Sequence, residues 1–155
     1  MPAVLVSACL LGVCCRHDGS HRFRAAVAGW SAGRRVIGVC PEELGALGTP
    51  RPPASLVGGD GTGVLAGRAR VVDAEGRDVT AAYLAGAREA LRRAREAGVT
   101  QALLKERSPS CGARAVHRDG RVEPGQGVAA ALLRQAGIEV VSDEALPGSG
   151  PAEGG

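Results

Sequence analysis

The chain has 155 residues, of which 45% are hydrophobic and 23% are charged, a composition typical of one globular domain. Aromatic residues make up only 2%, so platforms for stacking nucleic-acid bases are scarce, and the net charge of +3 is spread along the chain. We therefore do not expect a nucleic-acid partner. No run approaches the about 20 apolar residues of a membrane helix, and the first residues lack the basic segment of a signal peptide. We expect a cytoplasmic protein without a membrane partner, and the sequence carries no signal for a particular oligomeric state.

The order of the predicted elements indicates the fold class. Short β-branched apolar runs predict strands, and apolar residues at helical spacing predict helices, one of them capped by Asp78 or Thr80. In chain order we expect a strand at 4–8, a helix at 23–32, a strand at 35–39, an irregular loop at 45–63, a strand at 69–73, a helix ending at 97, a strand at 101–104, a hairpin at 115–122, a helix at 128–136 and a strand at 138–142. This alternation predicts a single three-layer, Rossmann-like α/β domain with a mainly parallel sheet over residues 1–145. A flexible Gly/Pro-rich tail is expected at 146–155.

Four of the five cysteines lie in Gly/Pro-punctuated segments that follow predicted strands, namely Cys9, Cys15, Cys40 and Cys111. Because strand-to-helix loops meet at one edge of a parallel sheet, Cys9, Cys40 and Cys111 should converge there. Thiolates bind soft metals and iron–sulfur clusters. The chain lacks the Cys-x-x-Cys pairs of a structural zinc site, so the spacing suits a cluster held by separate loops better than zinc. Cys14 is expected to fill space in the core.

The residues alone leave other chemistry open. A cysteine nucleophile would need a base, and the chain offers His17, His21 and His117. Glu42 stands two positions after Cys40 at the start of a predicted helix. It could interact with the helix dipole or act as a general acid/base beside a metal, and its spacing favours neither role.

Seven motifs follow one another along the chain and together are similar to one known family. They are Ser7-Ala8-Cys9-Leu10-Leu11-Gly12, Cys15-Arg16-His17-Asp18-Gly19, Cys40-Pro41-Glu42, Pro50-Arg51-Pro52, Leu103-Leu104-Lys105, Ser108-Pro109-Ser110-Cys111-Gly112 and Gly125-Gln126-Gly127-Val128. In this order they resemble the thiouracil desulfurase family. The resemblance implies an enzyme with a 4Fe–4S cluster held by three cysteines, Cys9, Cys40 and Cys111, with one iron lacking a protein ligand. It also implies a small-molecule thiolated nucleobase as substrate. The sulfur of this base would bind the open iron, and water would replace the sulfur at carbon without net redox change.

The resemblance further implies roles for residues around the cluster. Glu42 would be the acid/base for the attacking water, and a serine would assist it, Ser108 in preference to Ser110. Cys15 would lie beside the cluster without ligating it. Residues that could support the site or orient the substrate are Asp18, Arg51 and Lys105, and for Asp18 and Arg51 a salt bridge is the preferred role.

Departures from the family pattern affect the expected substrate preference rather than the cluster. His17 stands where an aromatic residue is usual, and Ser55 stands where a glutamate is frequent. Two alternative functions stay open: a cysteine-based sulfur carrier or transferase without metal, with Cys111 as nucleophile, and a metal-bearing structural module that binds a partner.

Overall fold

A four-stranded parallel sheet is the first of two sheets in the fold. The computed structural model describes residues 2–147. Its first sheet contains β1 (Ala3–Ser7), β2 (Arg35–Val39), β5 (Gln101–Leu104) and β8 (Glu139–Ser142), in the order β2-β1-β5-β8 and parallel throughout. Every residue of β1 is buried, because a central parallel strand is covered on both faces. The α/β fold with a parallel sheet is therefore confirmed.

Helices cover both faces of this sheet. On one face, Leu5 and Leu104 pack with buried residues of α4 (Thr80–Glu96) and α5 (Val128–Gln135). On the other face, Val6 and Leu103 pack with residues of the short helix α1 (Ala26–Trp30). The helix predicted at 23–32 is thus shorter than expected, since its amino-terminal residues are held as a loop by the Arg24 amide, which donates to the Leu10 carbonyl oxygen.

A second sheet, which the sequence did not reveal, packs against the same two long helices. It contains β3 (Ala54–Val57), β4 (Arg70–Asp73), β6 (Ala115–Arg118) and β7 (Arg121–Pro124), in the order β4-β3-β6-β7. The β3/β6 pair is parallel, and the other two pairs are antiparallel. The prediction of an irregular loop at 45–63 was wrong, because it contains β3 and the start of α3 (Gly61–Leu65).

The hairpin predicted at 115–122 is confirmed as β6 and β7. Asp119 and Gly120 connect the two strands, and both have positive φ angles, as a tight two-residue hairpin turn requires. Leu146, the first residue of the predicted tail, packs into the core, and residues 148–155 lie outside the described part of the chain. Within residues 2–147, no helix combines the length and apolar character needed to cross a membrane.

Two glycines bring the short helix α2 (Pro41–Leu44) against α4. A β-carbon on Gly86 would lie 1.8 Å from the Pro41 carbonyl oxygen, and one on Gly45 would lie 2.0 Å from the Ala82 carbonyl oxygen. Only glycine permits backbones to approach this closely. The contact fixes α2, and with it Glu42, beside the amino-terminal turn of α4.

Candidate functional site

Three cysteines meet at the carboxyl edge of the parallel sheet. Cys9 lies in a 3-10 helix directly after β1, Cys40 caps α2 directly after β2, and Cys111 lies in the loop after β5. β1 is paired with both β2 and β5, so the three loops are neighbours. All three cysteines line one cavity of about 550 Å³ between this edge and the second sheet. The convergence predicted from strand order is therefore present.

A fourth thiol, that of Cys15, lies between two of these cysteines. Cys15 is 2% exposed and is within hydrogen-bonding range of the thiols of both Cys40 and Cys9. The contact with Cys40 lowers the pKa of Cys15, but the contact with Cys9 and burial together outweigh this effect and raise the pKa to about 12. The carbonyl oxygen of Cys15 also accepts from the Cys40 thiol, with 3.6 Å between Sγ and O. Cys14, in contrast, is exposed, so the expectation that it fills the core was wrong.

The thiols of Cys40 and Cys111 also hold their protons firmly. The Cys15 thiol and then burial raise the pKa of Cys40, and burial followed by the charge of Glu42 raises the pKa of Cys111. None of the five cysteines is in a disulfide. Reactive cysteine nucleophiles show the opposite perturbation, a lowered pKa. The environment therefore disfavours the sulfur-carrier alternative with Cys111 as nucleophile.

The donor set fits an iron–sulfur cluster. A bound metal deprotonates its thiol ligands outright, so crowded and buried thiols are suited to a positively charged centre that replaces their protons. Within residues 2–147, no three His, Cys, Asp or Glu side chains lie close enough to hold one metal ion. A single zinc ion needs its sulfur ligands within about 2.3 Å of it, whereas a cluster spans a wider set of thiolates.

Glu42 and Arg51 form an ion pair at the cavity wall. Arg51 Nη2 lies 3.1 Å from Glu42 Oε2, with the two side chains 7% and 15% exposed. The same nitrogen donates to the Cys15 carbonyl oxygen at 2.9 Å, so one guanidinium joins the carboxylate to a cysteine loop. Burial lowers the pKa of Arg51, but the charges of Glu42 and Cys40 more than offset this, and the pKa is raised.

The two candidate serines occupy different environments. Ser108 lines the cavity, and its Oγ accepts from the backbone amides of Ser110 and Cys111 at 3.1 and 3.0 Å. These bonds leave the Ser108 hydroxyl proton available for another acceptor. Ser110 is fully buried, does not line the cavity, and its Oγ has no hydrogen-bond partner among the described residues. Of the two serines, Ser108 is the one that reaches the cavity.

Basic side chains line the cavity near Cys9. Lys105 is 4% exposed, and its Nζ donates to the Glu106 carbonyl oxygen at 3.1 Å. Burial lowers the pKa of Lys105 more than the nearby Asp143 raises it. Arg16 also lines the cavity, and its enclosed Nη1 lacks a hydrogen-bond partner within the described residues. The predicted candidate Asp18 does not line the cavity; it is exposed, and its carboxylate accepts from the Ser20 amide at 3.0 Å.

Several residues that line the cavity were not assigned a role from the sequence, and Arg16, Glu106 and Tyr83 are among them. Glu106, only 2% exposed, accepts from the amides of Arg114 and Ala115 at 2.8 and 2.9 Å and so shapes the loop after Cys111. Tyr83, on the first turn of α4, also reaches the cavity. The only feature of the sequence that could have drawn attention to Tyr83 is that the chain contains a single tyrosine.

The comparisons with known proteins place this chain in a family. Residues 4–145 match the family model described as 2-thiouracil desulfurase. The chain belongs to the 2-thiouracil desulfurase family. This membership confirms the family and the enzymatic character expected from the motifs.

Two relatives extend the comparison over nearly the whole chain. It is 42% identical over 146 residues to the uncharacterized protein YbbK of Bacillus subtilis (strain 168), covering 92% of this chain and 97% of the relative. Among solved structures, it is similar to the [4Fe-4S]-dependent thiouracil desulfidase TudS, with 38% identity and a TM-score of 0.80. That match covers 96% of this chain and 95% of the other, so the two proteins share one fold over almost all of their length.

Proposed function

We propose that this protein is a hydrolytic desulfurase that converts a thiolated pyrimidine, such as thiouracil, to the corresponding oxo-pyrimidine with a 4Fe–4S cluster. The observation that carries the proposal is the convergence of Cys9, Cys40 and Cys111 on one cavity that Glu42 also lines. The cavity volume of about 550 Å³ falls within the range typical of small-molecule sites. The cluster dependence of the solved relative supports the same cofactor.

The overall reaction needs no redox partner. The carbon–sulfur double bond and one water give a carbon–oxygen double bond and hydrogen sulfide, so the two water protons leave with the sulfur. When bound to Cys9, Cys40 and Cys111, the cluster would supply a thiophilic Lewis acid, an iron without a fourth protein ligand, that polarises the carbon–sulfur bond.

The proton acceptor for the attacking water is Glu42. Its carboxylate lines the cavity and is paired with Arg51, whose Nη2 also binds the Cys15 carbonyl oxygen. This arrangement orients the carboxylate towards a fixed position, which general base catalysis requires. Arg51 is therefore proposed as a positioning residue for Glu42.

Ser108 and Lys105 are proposed as hydrogen-bond donors on the same cavity. Ser108 accepts two backbone amides and retains its own proton, which it can donate to the developing charge on the substrate. Lys105 donates to one carbonyl oxygen, and its other protons are available to a polar atom of the pyrimidine. Cys15 is proposed to support the ligands Cys9 and Cys40 without binding iron.

The experiment that tests the proposal is a stoichiometric assay without oxidant or reductant. Protein reconstituted anaerobically with iron and sulfide is incubated with 2-thiouracil and, separately, with 4-thiouracil. Uracil and sulfide should form in a ratio of one to one, and the uracil should carry oxygen from isotopically labelled water. No turnover of either base, or turnover that consumes a reductant, would contradict the proposed function.

A further inference from the structure

Tyr83 lines the cavity from the layer between the two sheets, and the charges of Glu42, Arg51, Cys111 and Cys40 act on its hydroxyl group. The residue is 3% exposed and packs with Leu56 and Val71 of the second sheet. It nevertheless lines the same cavity as Glu42 and Cys111. The close packing of α2 on α4 at Gly86 sets the distance between the Tyr83 and Glu42 backbones.

The Tyr83 hydroxyl makes no hydrogen bond with any residue in the described range 2–147, although hydrogen bonds satisfy most of the other buried polar groups there. Buried tyrosine hydroxyls usually find a partner, because an unpaired polar group in the interior costs free energy. A hydroxyl without a protein partner at a cavity wall therefore points to a ligand or water in that cavity.

The groups around this hydroxyl belong to the proposed reaction centre. Burial raises the pKa of Tyr83 well above its usual value, and the charge of Glu42 raises it further. Arg51, Cys111 and Cys40 also act on it electrostatically. The hydroxyl thus stays protonated and can donate a hydrogen bond. Within residues 2–147 it makes no direct hydrogen bond with Glu42, and both residues line the same cavity.

We propose that the Tyr83 hydroxyl donates a hydrogen bond to the oxygen of the water that Glu42 deprotonates, and to the same oxygen once it has become the new carbonyl oxygen of the product. The inference rests on the proposed desulfurase function. Tyr83 keeps its proton throughout; one proton of the water passes to Glu42, and both finally leave with the sulfur as hydrogen sulfide. Negative charge develops on the sulfur during attack, so the Tyr83 hydroxyl acts on the oxygen by position. A fixed donor holds the water oxygen against the carbon, and holding a reactant in place lowers the barrier.

The first test is the variant Tyr83→Phe, which removes the oxygen and retains the ring that packs in the core. With equal iron content, kcat should fall about tenfold, as expected for the loss of one hydrogen bond in the transition state, and KM should change less than about twofold. Thr100→Val removes a hydroxyl at the opposite end of β5 and should leave both constants unchanged. Unchanged kcat in Tyr83→Phe, or a raised KM with unchanged kcat, would overturn the inference.

The second test does not depend on turnover. Because Tyr83 is the only tyrosine, reconstituted protein labelled with 3-fluorotyrosine gives one ¹⁹F resonance. Uracil, added at concentrations that inhibit the wild-type enzyme, should shift this resonance, since the product carries the contacted oxygen. A resonance that does not move at saturating uracil would overturn the role of Tyr83 while leaving the desulfurase function standing. Failure of the wild type to convert either thiouracil would instead refute the proposed function.

Discussion

Replacing Arg51 by glutamine would remove the cation that holds Glu42 in place. The guanidinium lies 3.1 Å from Glu42 Oε2 and 2.9 Å from the Cys15 carbonyl oxygen, and its side chain is 7% exposed. Glutamine can keep at most one of these contacts and carries no charge. The variant therefore separates the carboxylate from its orienting partner without changing any proposed ligand.

The expected magnitude follows from the geometry. At 3.1 Å and an effective dielectric constant of about 20, the attraction within the pair is about 5 kcal/mol before the cost of desolvation is subtracted. Breaking a fully buried pair costs about 3–5 kcal/mol, because one charge is left uncompensated. Glu42 is 15% exposed on an open cavity, where water can solvate it in part. We expect Arg51→Gln to lower the free energy of unfolding by about 2–3 kcal/mol.

Two measurements check this expectation. Urea denaturation of the cluster-free protein gives the change in stability, and kcat/KM on thiouracil after reconstitution should fall between about tenfold and a hundredfold. Arg92→Gln is the matched control, because Arg92 pairs with Glu89 and Glu96 on an exposed surface and should cost less than about 1 kcal/mol. Arg51→Lys should recover only part of the activity, since lysine lacks the planar fork. The reasoning would be refuted if Arg51→Gln were no less stable than Arg92→Gln and turned over within about twofold of wild type.

Three further predictions concern the same cavity. Glu42→Gln should retain iron but lose more than about a hundredfold in kcat, whereas Glu43→Gln, at the exposed neighbouring position, should stay within about twofold; equal rates would remove the assigned base. Ser108→Ala should lower kcat about tenfold or more. Ser110→Ala deletes a buried hydroxyl without a described partner and should leave the free energy of unfolding unchanged or raised. A larger loss of kcat in Ser110→Ala than in Ser108→Ala would contradict the serine assignment. The pKa of Cys15 is raised from 9.0 to about 12 in the folded protein. The thiol therefore contributes its full stabilisation to cluster-free protein below pH 9.0 and loses it as the pH rises towards about 12. Urea denaturation at about pH 7 and about pH 10 should show a smaller loss of stability in Cys15→Ala than in wild type, and an equal loss would show that the thiol does not contribute.

The part of the site that lies directly after the parallel strands was predictable from the sequence. The apolar runs of β1, β2 and β5 are local signals, and each is followed within the chain by a cysteine. Parallel pairing then brings Cys9, Cys40 and Cys111 together, which needs no knowledge of individual contacts. The motifs added the family and the candidate acid/base, Glu42.

The second sheet and the remaining cavity wall were not predictable in the same way. β3 has only four residues, and its partners β4 and β6 are distant in sequence, so its pairing is non-local. Tyr83 has the spacing of a core residue on α4, and its place on the same cavity as Glu42 depends on the packing of α2 against that helix. The role of Arg51 depends on a loop that folds back on the Cys15 carbonyl oxygen. These features arise from tertiary contacts rather than from local patterns.

The most direct test of the proposed centre is the iron and acid-labile sulfide content of anaerobically prepared protein, measured for wild type and for single alanine variants of the four clustered cysteines. Wild type and Cys15→Ala should each hold about four irons and four sulfides per chain and absorb light at about 400 nm. Cys9→Ala, Cys40→Ala and Cys111→Ala should lose most of the iron together with uracil formation. Wild-type protein that takes up no iron, or a Cys40→Ala variant that keeps a full complement, would contradict the three-cysteine cluster.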